Sequence, residues 1–160
     1  MGANVINGVF DANMGAVGKE YVFILTGIPT GTKTVNCTTA SGPFGSFGRV
    51  RTYYNAKQTG QPDASAYVTG TSTAATPSVF NCGLTTVADN SAVFATYVAA
   101  VGGLTDSPSA NGTNIGNDGF LTYQWEATSN VTPAGSFTLQ AWGTAGAQVY
   151  DSICVSLAPF

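Results

Sequence analysis

Three runs decide the fold: Phe120-Leu-Thr-Tyr-Gln-Trp-Glu-Ala-Thr128, Ser136-Phe-Thr-Leu-Gln-Ala-Trp142 and Ala147-Gln-Val-Tyr-Asp-Ser-Ile-Cys-Val-Ser-Leu157. In the first, Leu121, Tyr123, Trp125 and Ala127 fall on one side and Thr122, Gln124 and Glu126 on the other. In the second, Phe137, Leu139 and Ala141 alternate with Ser136, Thr138 and Gln140. In the third, Val149, Ile153, Val155 and Leu157 alternate with Tyr150, Ser152, Cys154 and Ser156, and Asp151 breaks the apolar side. A period of two buries one face of a strand and leaves the other wet or paired. The connections are rich in Gly, Pro, Ser, Asn and Thr, so the runs read as consecutive strands of an antiparallel meander.

Working outward, the remaining chain reads in the same class. Ala3–Phe10 is a first strand or an extended N-terminal arm. Lys19–Thr26 is apolar on both faces and reads as a central strand. Lys33–Thr38, Arg49–Asn55, Ala66–Gly70, Ser78–Cys82, Leu84–Ala88 and Ala92–Val101 read as further strands. Thr39–Gly48 and Gly102–Asp118 read as long loops. The expected fold is all-β: one antiparallel β-sandwich domain over residues 1–160, jelly-roll-like, with residues 1–10 as the candidate arm.

Composition supports this class. Of the 160 residues only 8% are charged, 20 are Gly, and 44% are apolar. Ordinary domains carry about 25% charge. Disorder does not fit, because the aromatics sit inside alternating runs. A surface of Thr, Ser, Asn, Gly and Ala suits a protein packed into an assembly or exposed to harsh conditions.

The net charge of −3 is unevenly placed. Lys19, Lys33, Arg49, Arg51 and Lys57, less Asp11 and Glu20, leave +3 in residues 1–57; six carboxylates leave −6 in the rest. This is either drift of composition or two electrically distinct ends, suited to docking on a like copy or an acidic surface. Five basic residues make no nucleic-acid patch, and Val93–Val101 is too short to span a bilayer. No secretory leader is legible after Met1. The partners expected from this are copies of the chain itself, with no nucleic acid and no membrane.

Candidate chemistry is sparse. Without histidine there is no Ser-His-Asp or Cys-His nucleophile and no His-ligated zinc. No phosphate loop is present. Asp118 with Glu126, and Asp11 with Glu20, are the carboxylate pairs that flank a strand, with no motif around them. The expectation is no enzyme, no cofactor and no metal. The oxygen-rich loop Asp106–Asp118 lacks EF-hand spacing, so its Asn and Asp read as turn formers. Cys37, Cys82 and Cys154 are odd in number and widely spaced; one pair could bridge, but buried free thiols are the default expectation. The sequons at Asn36, Asn111 and Asn130 are the number that chance yields in so Asn- and Thr-rich a chain.

Two segments carry apolar side chains that neither strand nor loop explains. Val5, Ile6, Val9 and Phe10 alternate too weakly for a core strand, and Phe44 and Phe47 stand in the loop Gly42-Pro-Phe-Gly-Ser-Phe-Gly48. Either they pack on their own sandwich, or they contact neighbouring subunits. All six are taken as candidate assembly contacts.

Residues Pro133-Ala-Gly-Ser-Phe-Thr-Leu-Gln-Ala-Trp-Gly143, followed by Ile153–Leu157, resemble the closing strands of trimeric jelly-roll tips and decoration modules of tailed-phage virions. Gly135, Thr138, Leu139 and Trp142 match in kind; Phe137 stands where that pattern has His, and its Arg residues are absent. The resemblance covers about the last 28 residues. It implies a trimerising, tumour-necrosis-factor-like jelly roll that decorates or projects from a capsid, and so a location on the virion. The alternative is a subunit of an extracellular filament, in which Ala3–Phe10 completes the next subunit's sheet. A third reading, a carbohydrate-binding module, needs exposed aromatics on one face. Tyr53, Tyr54, Trp125 and Trp142 are its candidates, and they are read as core residues.

Overall fold

The computed structural model describes residues 21–28, 30–36, 49–74, 77–99, 109–117, 122–143 and 146–160, and the backbone of 4–7. Nine strands are formed there and no helix. They are β1 (Asn4–Asn7), β2 (Tyr21–Ile24), β3 (Ala64–Thr71), β4 (Ser78–Thr85), β5 (Ala92–Ala99), β6 (Gly112–Asn117), β7 (Thr122–Ala127), β8 (Ser136–Gly143) and β9 (Val149–Leu157). The class is all-β, as expected. A five-stranded sheet of order β3-β9-β5-β7-β6 faces a two-stranded sheet, β4-β8, and β1-β2 forms a separate ribbon. Every pairing is antiparallel.

The last three strands are not a meander. β7 pairs with β5 and β6, β8 leaves for the other sheet to pair with β4, and β9 returns between β3 and β5. The chain therefore crosses the sandwich twice, through the connections 128–135 and 144–148. β9 is central, and residues 150–158 are buried on both faces of the sheet. Its Tyr/Ser/Cys/Ser side is no wet face; it points into the main core.

That main core lies between the sheets. Val93, Ala95, Tyr97, Tyr123, Trp125, Tyr150 and Cys154 meet Phe80, Cys82 and Leu84 of β4 and Leu139 and Ala141 of β8. Trp125 is the largest side chain in it and is fully buried. A second cluster covers the outer face of the same sheet: Val22, Ile153, Val155 and Leu157, with Ile24, Tyr53, Tyr67 and Phe94 against them. The sequence puts Val22, Ile24, Phe94, Val98, Leu121, Tyr123, Trp125, Leu139, Ile153 and Val155 in one core, and the structure splits them over two faces. Tyr123, Trp125 and Leu139 belong to the first cluster and Val22, Ile24, Phe94, Ile153 and Val155 to the second; Val98 is half-buried and in neither, and Leu121 lies outside the described residues.

Cys82 and Cys154 form a disulfide, contrary to the expectation of free thiols. It joins β4 to β9 across the two sheets with a Cα–Cα distance of 5.9 Å. Ala95 is the register partner of Cys154, and Ala141 is buried in the same core cluster. The spacing in sequence, 72 residues, gave no hint of the meeting. Cys37 lies outside the described residues.

Both edges of the β4-β8 sheet are closed by side chains. On β4, the Tyr150 hydroxyl donates to Asn81 O (2.8 Å) and accepts from Asn81 N–H (3.0 Å). Val79 N–H donates to Thr73 Oγ1 (2.9 Å). On β8, Asn111 Nδ2 donates to Thr138 O (2.7 Å), Gln140 N–H donates to Asn111 Oδ1 (3.1 Å), and Ser109 Oγ donates to Gln140 O (2.6 Å). An edge so occupied offers no free ladder to another strand.

Five further expectations are corrected. Lys19–Thr26 is not a central strand: among the described residues β2 pairs with β1 alone, and Tyr21, Phe23 and Leu25 are exposed. Among the described residues neither 33–36, the described part of the expected strand Lys33–Thr38, nor Arg49–Asn55 forms a strand. Gly83 does not divide β4, since it sits in register opposite Thr138. Gly112–Asn117, expected as loop, is strand β6. Its Gly, Asn and Thr have weak strand preference, and pairing with β7 alone makes it a strand.

Candidate binding cleft and apolar ribbon

One end of the sandwich carries a cleft of about 240 Å³, lined among others by Tyr53, Tyr54, Asn55, Asn90, Asn130 and Pro159. The four segments that build it are distant in sequence and are tied by backbone bonds. Ala56 and Pro159 form an isolated antiparallel bridge. It is flanked by Lys57 N–H to Ala158 O (3.0 Å) and Phe160 N–H to Asn55 O (2.7 Å). Ser91 and Val131 form a second antiparallel bridge through reciprocal bonds of 3.2 and 2.8 Å, which ties together the two segments that carry Asn90 and Asn130. Asn55 and Asn90 have φ of 56° and 62°. Asn is one of the few side chains that tolerates this left-handed region.

Asp63 fixes the turn behind the cleft. Its Oδ2 accepts from Val87 N–H (2.8 Å), Ala88 N–H (3.2 Å), Ser91 Oγ (3.3 Å) and Ser156 Oγ (3.1 Å). Burial works to raise its pKa, but these bonds to the charged form outweigh it and hold the carboxyl below its ordinary value. Asp89, the next carboxylate, accepts from Ala134 N–H. Neither Asp63 nor Asp89 lines the cleft, and no charged side chain does among the described residues.

The basic first third is partly neutralised within the chain. Arg51 pairs with Glu126 at 3.5 Å, and Arg49 donates to the carbonyl of Asn117. The Arg49 guanidinium occupies the place a Cβ on Gly116 would take. Two of the five bases thus lie on the acidic segment, which weakens the idea of two electrically distinct ends. Tyr53 stacks on Phe94 with ring centroids 5.7 Å apart. Burial, then the Glu126 carboxylate, push its phenol pKa upward.

The β1-β2 ribbon presents a second feature. Phe23 is 63% exposed, and Tyr21 stacks on it at 6.2 Å. Leu25 and Ile28 continue the exposed apolar line. Val22, on the opposite side of the strand, is buried against the second core cluster.

Of the six candidate assembly residues, Val5 and Ile6 lie in β1, in register with Phe23 and Val22. Val9, Phe10, Phe44 and Phe47 lie outside the described residues. The exposure of Tyr21, Phe23 and Leu25 was not expected, because a doubly apolar run reads as a buried strand. The assignment of all four aromatics to the core holds for Trp125, which is fully buried, and fails for Tyr54, which is 86% exposed. In the Asp106–Asp118 loop, Asn111 is committed to β8 and Asn114 Oδ1 accepts from Gly116 N–H (2.8 Å). Among the described residues no three His, Cys, Asp or Glu side chains are grouped for a metal, and no helix is long and apolar enough to cross a membrane. No family model matches the chain, and no curated protein or solved structure was found similar to it.

Proposed function

We propose that this chain is a non-enzymatic structural subunit that works by associating with copies of itself. The setting that the resemblance at Pro133–Gly143 implies is a virion, where the subunit would decorate the major capsid protein or form a head-fibre jelly-roll trimer. The observation that carries the reading is the uncovered apolar line Tyr21, Phe23 and Leu25 on the ribbon. Stacked aromatics left in water beside a well-formed core are the mark of an interface. With the edges of β4 and β8 occupied by side chains, the ribbon is the better place for a neighbour. Sedimentation velocity tests this. The wild-type chain should sediment as an oligomer, and Tyr21→Ser with Phe23→Ser as a monomer with an unchanged far-ultraviolet spectrum. A monomeric wild type at about 100 μM, far above a Kd of order 1 μM for a specific contact, sinks the proposal.

The disulfide favours a second reading, a subunit of an extracellular filament. Disulfides persist in oxidising surroundings and are rare in reducing ones. In that reading β1 leaves its own β2 and pairs with a neighbour's. Deleting residues 2–10 and imaging the product by negative stain separates the two: only the filament depends on those residues for head-to-tail growth.

A further inference from the structure

We propose that the cleft at the end of the sandwich binds a neutral sugar ring, independently of how subunits associate. Tyr54 is 86% exposed and lies at the cleft wall. Among the described residues its hydroxyl is bonded to nothing, so the ring is held by its backbone with one face open. An exposed aromatic face with no role in the core matches the apolar C–H face of a pyranose. Asn55, Asn90 and Asn130 line the same cleft. Their side-chain amides form no hydrogen bond among the described residues. Each amide offers donors and an acceptor, and a sugar hydroxyl is both donor and acceptor, so three amides can be satisfied by neighbouring hydroxyls of one ring.

The site is built rather than accidental. The Ala56–Pro159 and Ser91–Val131 bridges fix its walls, and Asp63 locks the turn that carries Asn90. Two of the three Asn are held in left-handed backbone, a conformation that collects at binding sites. The ligand class follows from what lines the cleft. With no charged side chain among the described residues that line it, the cleft gives phosphates and carboxylates no counter-charge. At about 240 Å³ the cleft is smaller than the roughly 300–1,000 Å³ of sites for drug-sized ligands, so it takes a single ring of a longer glycan.

The test is a titration of the full-length protein with glucose, galactose, mannose and N-acetylglucosamine, and with their short oligomers, followed by heteronuclear NMR. At least one sugar should shift the amide side-chain signals of Asn55, Asn90 and Asn130, with a Kd of order 1 mM. Tyr54→Ala should weaken binding about ten-fold or more while leaving the rest of the spectrum in place, since the ring supports nothing else. Asn90→Gly removes one amide, keeps the left-handed backbone without strain, and should also weaken binding. Three results overturn the proposal: no shift with any sugar, shifts that persist unchanged in Tyr54→Ala, or shifts induced by a nucleoside and by none of the sugars.

Discussion

The hydroxyl of Tyr150 holds both main-chain groups of Asn81, donating to its carbonyl and accepting from its N–H across the sandwich. One side chain on β9 thereby closes the free edge of β4. Tyr150→Phe keeps the ring and removes the oxygen, leaving an amide and a carbonyl without partners. The expected loss is about 1–3 kcal/mol for an unmet buried polar group, read from urea unfolding. A loss below measurement would mean that water replaces the hydroxyl.

Alkali should unfold the protein through the same residue. Burial raises the pKa of Tyr150, and burial with Glu126 raises that of Tyr53. A group with a folded pKa above its unfolded value contributes stability that is fully present below the unfolded pKa, about 10 for Tyr. It is lost as pH rises through the folded value. The melting temperature should therefore fall above about pH 10, and fall less in Tyr150→Phe measured against its own neutral-pH value.

Asp63 sets the acid limit with the opposite sign. Its folded pKa is depressed, so its contribution is present above the ordinary carboxyl range and is lost as pH falls through the folded value. Asp63→Asn removes the charge that the Val87 and Ala88 amides address. This variant should melt lower at neutral pH and lose the acid-side dependence. An equal acid-side slope in variant and wild type would assign that dependence to other carboxylates.

The Cys82–Cys154 bond closes a loop of 72 residues. Chain entropy gives it about 4 kcal/mol of stabilisation. Cys82→Ala with Cys154→Ala should lose that order of stability yet keep the β spectrum. Alkylation of the native protein should leave both sulfurs unmodified until a reductant is added, and label at either residue before reduction contradicts the bond.

Trp125 fills the main core with its Nε1–H lacking an acceptor among the described residues. Trp125→Ala should cost about 3–5 kcal/mol by leaving a cavity. Trp125→Phe should cost clearly less, because no hydrogen bond is forfeited. Equal losses in the two variants would point to an unseen partner of the indole.

Association through the ribbon should survive high salt. The line Tyr21, Phe23 and Leu25 carries no charge, and at 1 M salt screening acts within about 3 Å and weakens only charged contacts. Oligomer that dissolves near that ionic strength would transfer the contact to the basic residues Lys33 and Lys57, both exposed.

The alternation in Phe120–Leu157, the scarcity of helix formers and the turn residues determined by themselves that this chain is all-β, and they located β5, β7, β8 and β9 within a few residues. They also fixed that Tyr123, Trp125, Leu139, Ile153 and Val155 are buried. Only the tertiary structure decided which strands meet. A period of two states which face is apolar and is silent on the partner, because any strand can complete a ladder. Hence β7, β8 and β9 could be read as neighbours although the connections 128–135 and 144–148 carry them to alternate sheets. The same limit hid Cys82 opposite Cys154, the exposed side of β2, and strand β6, which exists through its pairing rather than its composition. The cleft was illegible for a further reason. Tyr54, Asn55, Asn90 and Asn130 come from three segments, and two backbone bridges between residues far apart in sequence, Ala56–Pro159 and Ser91–Val131, are what bring them together.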